Sequence, residues 1–321
     1  MRLLRILGAT SALLAGLMGL APMALAQSDP TPSAPSAPDT SDEPAALTGT
    51  LAKVRNAGAV AIGYRESSVP FSYLSPRGEP IGYSIELCKA LVDAMGDAVH
   101  KTLAIKWVPV TAESRVDAVA NGQVDLECGS TTSNLERQQR VAFSPTMFVS
   151  GTKLLVKKDS PIKSFRDLAG RTVAVTRGTT NEKTMRDLSA KFKLDLNLLV
   201  SADHAESFAL VKSGKAEAFA TDDVLLYGLI AQDRGASKGP SDYQVIGDFL
   251  SYDPYGVMYR KDDPEMRRVL DNTFQSLAAD GEIQRQYERW FLSKLPSGTS
   301  LDLPMSPQLE TIIQTMAIKP E

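Results

Sequence analysis

The chain has 321 residues, 43% hydrophobic and 23% charged, with a formal net charge of −3. That length can bury the cores of two ordinary domains, and the mild acidity excludes the basic footprint of a nucleic-acid binder, so no nucleic-acid partner is expected. Two Cys and two His make a clustered His/Cys metal site improbable, and neither a metal set nor a cofactor motif is read.

The N-terminus begins with Arg2 and Arg5, then the apolar run LLAGLMGLAPMALA, ending in Ala24-Leu25-Ala26. Charged start, apolar middle and A-x-A end predict a secretory signal over 1–26, cleaved after Ala26, and hence a periplasmic protein. The rival reading, a retained anchor, is weakened by Pro22. No later segment approaches the roughly 18 apolar residues of a membrane span. Residues 27–49, rich in Pro, Ser, Asp and Ala, read as a flexible linker, because they offer too little apolar surface to offset ordering entropy.

From residue 59 short apolar strands alternate with helical stretches. Strands are expected at 59–64 (AVAIGY), 105–110, 124–128, 172–176, 196–200 and 216–220. Helices are expected over 86–95 and 113–121, after 128 through Arg137, from Thr180, from His204, from Asp222, near 264–292 and over 306–317. This alternation predicts an α/β fold with mostly parallel sheets flanked by helices. ESRVDAVANGQVDL (113–126) and ESFALVKSGKAEAF (206–219) share a helix–Gly–strand layout, a loose hint of two similarly built halves.

Two strand-to-helix junctions are candidate anion sites. In VDLECGSTTSNLERQQR, Ser133 and Glu136 have capping-box spacing; in TVAVTRGTTNEKTMRDL, Thr179 and Glu182 do. Free N–H groups at helix starts bind anions, although either junction alone could be just a well-capped helix. Arg137 in a first helical turn opposes the dipole and is better explained as a carboxylate clamp. Arg65, Arg115 and Asp222 follow strands, where open α/β sheets place ligands. His204 alone could be a cap or a surface residue. Cys88 and Cys128 could form one disulfide or remain two buried thiols. No G-x-S-x-G, H-E-x-x-H or P-loop motif appears, so no catalytic set is expected.

RESSVPFSY, GYSIELC, DLECGSTTSNLERQ, VTRGTTNE, SADHAESF, FATDD and YGVMYRKDDP together resemble the periplasmic glutamate/aspartate-binding proteins of amino-acid ABC transporters (solute-binding protein family 3), from about residue 50 onward. The resemblance implies a two-lobed periplasmic binding protein fold, type II-like, with a two-segment hinge. Lobe 1 would take 50–150 and 252–321, lobe 2 would take 151–251, and the crossings would lie near Ser150-Gly151 and Tyr252–Gly256. It implies that Arg137, Thr132 and Thr180 hold an α-carboxylate and Asp222 the α-ammonium. Arg65, Arg115, Ser130 and His204 would surround a side-chain carboxylate. The implied partners are an acidic amino acid and a membrane ABC permease, and a monomer is expected. Thr111-Ala112 departs from the family's Thr-Ser before the second arginine, which leaves the preference between glutamate and aspartate open. Rival expectations are a broader binder that also takes glutamine and asparagine, a sensor domain, and a small-acid dehydratase with His204 or Glu66 as its acid.

Overall fold

Buried apolar strands of five or six residues set the frame. In Ala59–Tyr64, Val60 and Ile62 share one face and have no exposed surface, while Ala59 and Ala61 on the other face are part-buried. In the computed structural model, which describes residues 47–318, this strand pairs in parallel with Ala104–Pro109 on one side and Leu126–Glu127 on the other. The expected signal segment, and all of the expected linker before Leu47, lie outside the described residues. Met258–Arg260 runs antiparallel to both Leu126–Glu127 and Val141–Phe143, completing a five-stranded sheet.

The second sheet repeats the plan. Thr172–Thr176 pairs in parallel with Asn197–Ser201 and Ala218–Asp222. Thr152–Lys157 then pairs antiparallel with Ala218–Asp222 and with Tyr243–Ile246. The protein thus has an α/β, two-lobed fold, and each sheet is mixed. Its parallel half matches the expected strand–helix alternation, and its antiparallel half comes from strands joined through distant parts of the chain.

Helices cover these sheets with their apolar faces. Tyr83–Ala98 buries Tyr83, Leu87, Leu91 and Met95, four apart, and so presents one apolar stripe. It begins three residues before the expected start at Glu86 and ends three beyond Met95. The C-terminal third supplies Pro264–Ala279, Glu282–Tyr287, a single π turn at Glu288–Leu292, and Pro307–Met316. No helix among the described residues is long and apolar enough to cross a membrane.

The chain passes between the sheets on an antiparallel ribbon, Phe148–Ser150 against Asp253–Tyr255. Aromatic packing roots one end of this ribbon in the first sheet's core. Phe148 stacks on Phe291 at 5.0 Å between centroids, and Phe71 meets both Phe148 and Tyr255 edge-on. At the other end the Ser251 hydroxyl accepts from the Thr152 N–H at 2.9 Å. Helix Asp223–Ser237 touches both cores: Val224, Leu225 and Ala231 join the first, Leu226 and Leu229 the second.

Cys88, on helix Tyr83–Ala98, and Cys128, just past strand Leu126–Glu127, are joined in a disulfide that ties helix to sheet. Its ends are 40 positions apart in sequence, and the loop it closes should remove unfolded-state entropy equivalent to about 4 kcal/mol. The paired substitution Cys88→Ala/Cys128→Ala should therefore lower the thermal midpoint by several degrees, read by circular dichroism. An unchanged midpoint would contradict that role.

Candidate functional site

The parallel strands of both sheets end toward one another, and the residues that follow them meet in a small enclosed cavity of about 200 Å³ of empty space. Six of the eight residues singled out from the sequence line it: Arg115, Ser130, Thr132, Thr180, His204 and Asp222. Arg65 lies behind this wall and Arg137 at its rim. A wider open groove of about 1490 Å³ of empty space elsewhere contains none of the eight.

Arg65 follows strand Ala59–Tyr64 directly and is 1% exposed. Its backbone N–H donates to Ser72 Oγ at 2.9 Å, which fixes the turn. Its two terminal guanidinium nitrogens have no partner among the described residues. Arg115 opens the short helix Arg115–Ala120 and is also buried. Its Nη1 donates to Thr131 Oγ1 at 2.6 Å and to the Ser130 carbonyl at 3.3 Å, while Nε is unpartnered. Burial pulls Arg65 down to about 10, and the neighbouring Arg115 charge adds to this. Burial lowers Arg115 as well, and Glu127 pulls it back up. Both remain cations at neutral pH.

His204 sits against this cationic pair. Its Nδ1 is 2.9 Å from Thr176 Oγ1, and burial, then Arg65 and Arg115, hold its pKa well below 6.5. The imidazole is therefore neutral at pH 7. This corrects the expectation of a cap or a surface residue. Asp203 caps helix His204–Lys212 by accepting from the Glu206 N–H at 3.0 Å, and His204 is 2% exposed.

The opposite wall is anionic. Asp222 ends strand Ala218–Asp222 and is 3% exposed. Its Oδ1 accepts from Asn181 Nδ2 at 2.7 Å, and its Oδ2 accepts from the Tyr255 hydroxyl. Burial, then the nearby Asp253, raise its pKa to about 7. Asp253 itself accepts from Thr132 Oγ1 at 3.0 Å and from the Ser251 hydroxyl.

Across the cavity mouth the two lobes touch. Thr132 Oγ1 lies 3.3 Å from Thr180 Oγ1. The half-buried Arg137 donates from Nη1 to the Thr132 carbonyl at 2.8 Å and from Nη2 to the Gly178 carbonyl at 3.3 Å. Gly178 has φ +73°, and a Cβ there would lie 2.7 Å from Glu113 Cα, so the turn leaves no room for a side chain. Ala112 is buried beside the same turn.

The two junctions are capped differently from the sequence reading. Helix Leu135–Gln138 is one turn long and is capped by Asn134, whose Oδ1 accepts from the Arg137 N–H at 2.9 Å. Ser133 Oγ accepts from Gln138 Nε2 instead, so no Ser133–Glu136 capping box forms. A single turn has little dipole for Arg137 to oppose, and the place of Arg137 rests on the two carbonyls it bridges. At the second junction Thr179 caps helix Thr180–Phe192 as expected, accepting from the Glu182 N–H at 3.1 Å, but Glu182 answers Gly178 rather than Thr179.

Sequence reasoning missed Glu127, Thr131, Asn181, Asp253 and Tyr255, all buried around the cavity. The one readable signal was Glu127, an acid near the end of the expected strand VDLEC, directly before the first candidate anion site. Among the described residues no group of three or more His, Cys, Asp or Glu is placed to hold a metal ion.

The family model described as bacterial extracellular solute-binding proteins, family 3, matches residues 60–293. The chain is 42% identical over 270 residues to the L-glutamate/L-aspartate-binding protein of Pseudomonas aeruginosa, covering 83% of this chain and 88% of that one. It is 38% identical over 275 residues to the glutamate/aspartate import solute-binding protein of Salmonella typhimurium, covering 85% and 90%. Among solved structures, a crystal structure of an ArgBP mutant from T. maritima superposes with a TM-score of 0.68 at 23% identity, covering 76% of this chain and 100% of that one. At that identity the likeness concerns the fold alone.

The raised pKa of Asp222 makes stability fall as pH rises. Below about pH 4 the carboxyl is neutral in both folded and unfolded chains, and its burial costs nothing extra. As pH rises toward 7 the unfolded chain releases the proton first, so stability falls. Asp222→Asn should therefore be more stable than the wild type at pH 8, by up to about 4 kcal/mol, with the gain gone at pH 4. Thermal melts of both proteins at the two pH values check this, and a gain of equal size at both would contradict the assignment.

Proposed function

The chain belongs to family 3 of the bacterial extracellular solute-binding proteins, and we propose that within it this protein captures L-glutamate or L-aspartate in the cavity between its lobes. It is an amino-acid solute-binding protein of an ABC transporter, and the family is one of binding proteins rather than enzymes. The observation that carries the acidic preference is the pair of buried arginines, Arg65 and Arg115, set apart from the buried carboxylate of Asp222. A neutral amino acid needs one cationic and one anionic partner. A second cationic pole, desolvated and with free N–H groups, fits a ligand with a second carboxylate. The names of the relatives from Pseudomonas aeruginosa and Salmonella typhimurium point the same way.

In this reading Arg65, Arg115, Ser130 and His204 receive the side-chain carboxylate. Neutral His204 can donate a hydrogen bond there without adding charge. Asp222 receives the ammonium, which returns the pKa of its carboxyl to the ionised side of neutrality. Arg137, Thr132 and Thr180 receive the α-carboxylate. Arg137 uses two of its five N–H groups on the Thr132 and Gly178 carbonyls, leaving three for a ligand. A cationic amino acid would meet two arginines with no compensation, which is how the site rejects it.

The lobes are then 50–150 with 252–321, and 151–251, and the ribbon at Phe148–Ser150 and Asp253–Tyr255 is the two-segment hinge. Closure brings Thr132 to Thr180 and Arg137 to Gly178, so a ligand touching both lobes binds the closed form better and shifts the population toward it. The protein is exported to the periplasm by the 1–26 segment, acts as a monomer, and presents the closed form to a membrane permease.

Calorimetry on protein unfolded, dialysed free of ligand and refolded tests this, with glutamate, aspartate, glutamine, asparagine and arginine as a panel. The acids should bind about 100-fold or more tighter than the amides, and arginine not at all. Arg115→Ala should weaken glutamate far more than glutamine, while Arg137→Ala should weaken both alike, each by about 2 kcal/mol or more. Absence of heat with both acids would overturn the proposal. Equal losses for glutamate and glutamine in Arg115→Ala would overturn the division of roles.

A further inference from the structure

Glu127 has no part in the site as proposed above. It closes strand Leu126–Glu127, has no exposed surface, and lies among the same buried charges. Its Oε2 accepts from Thr131 Oγ1 at 2.7 Å, and Thr131 Oγ1 in turn accepts from Arg115 Nη1 at 2.6 Å. On the other side it shares the space over Gly129 with Arg65. A Cβ on Gly129 would fall 2.3 Å from Glu127 Oε1 and 2.9 Å from Arg65 Cγ, so only glycine lets the two side chains lie there together. The Glu127 charge pulls both Arg65 and Arg115 back toward their ordinary basicity.

The way this acid meets its cations matters. A directly paired carboxylate would occupy the guanidinium N–H groups, as in the surface ion pair between Arg285 and Glu282. Glu127 instead reaches Arg115 through one hydroxyl. It thereby places a negative charge close to both arginines while leaving the terminal nitrogens of Arg65 and Nε of Arg115 without partners among the described residues. Two guanidiniums and one carboxylate leave a single net positive charge. One side-chain carboxylate on a ligand balances that charge.

We propose that Glu127 is a positioning and specificity-determining residue, which orients Arg115 through Thr131 and sets the arginine pair to a net charge matched by one ligand carboxylate. The inference rests on the reading that Arg65 and Arg115 receive such a carboxylate. Its consequence runs against intuition. Removing the Glu127 charge should sharpen discrimination against a neutral ligand, because closing over an amide would then leave two unmatched cations rather than one.

The test is the ratio of glutamate to glutamine affinity, measured by calorimetry on the full folded protein. Glu127→Gln keeps the shape and the Thr131 contact but loses the charge, and it should raise the ratio by about tenfold or more over the wild type. Thr131→Val breaks the relay but keeps the charge. It should lower the ratio, because an Arg115 no longer oriented costs glutamate more than glutamine. If Glu127→Gln does not fold, the same charge is read by comparing Arg65→Met with Arg65→Met/Glu127→Gln, in which the second substitution should raise a ratio that the first has collapsed. A ratio unmoved or lowered by loss of the Glu127 charge, or raised equally by Thr131→Val, overturns the inference and leaves the proposed function standing. A wild type that binds neither acid overturns both.

Discussion

Two guanidiniums, Arg65 and Arg115, are held out of water next to one another, and much of the surrounding structure follows from that constraint. Each loses hydration that only charge-bearing or polar neighbours can replace, and each raises the cost of the other. Their own lobe answers with Glu127 and Thr131, and the facing lobe sets a neutral His204 beside them. The fold supplies the positions: Arg65 and Glu127 lie at the ends of adjacent parallel strands, and the helix that begins at Arg115 follows the third strand of the same half-sheet. Parallel strands end on the same edge, so charges placed after them converge.

The second lobe carries the complementary wall. Asp222 stands at the end of its own strand, held by Asn181 and Tyr255 and strained toward neutrality by burial. Tyr255 belongs to the ribbon that joins the lobes, and Asp253 of the same ribbon accepts from Thr132 at the rim. The anionic wall and the crossing strands are thus one hydrogen-bonded unit. On the proposed reading, an ammonium that pairs with Asp222 is felt directly at the hinge, and helix Asp223–Ser237, packed on both cores, carries the same change into the lobe contact.

The sequence made the parallel halves of both sheets legible, because AVAIGY, TVAVT and their partners are apolar runs separated by helical periodicity. It hid the antiparallel halves. Val141–Phe143, Phe148–Ser150 and Met258–Arg260 are three residues each, too short for a period, and are defined by pairing with segments more than a hundred residues away. Six of the eight singled-out residues line the cavity because each stands at or beyond the end of a strand or at a helix start, a place that sequence marks. Glu127, Asn181 and Asp253 escaped because their roles come from which buried neighbour they face, and that is fixed only by packing. For Arg137 the expected clash with a helix dipole is not the reason for its place: that helix is a single turn, and two carbonyls hold the side chain.

The central claim is that the distal end of the ligand carries a carboxylate held by Arg65 and Arg115. A crystal structure of the protein grown with L-glutamate tests it most directly. The account predicts the side-chain carboxylate within hydrogen-bonding distance of the Arg65 terminal nitrogens and of Arg115, with the ammonium on Asp222. A ligand bound with that carboxylate elsewhere, and with Arg65 still lacking a partner, would contradict it.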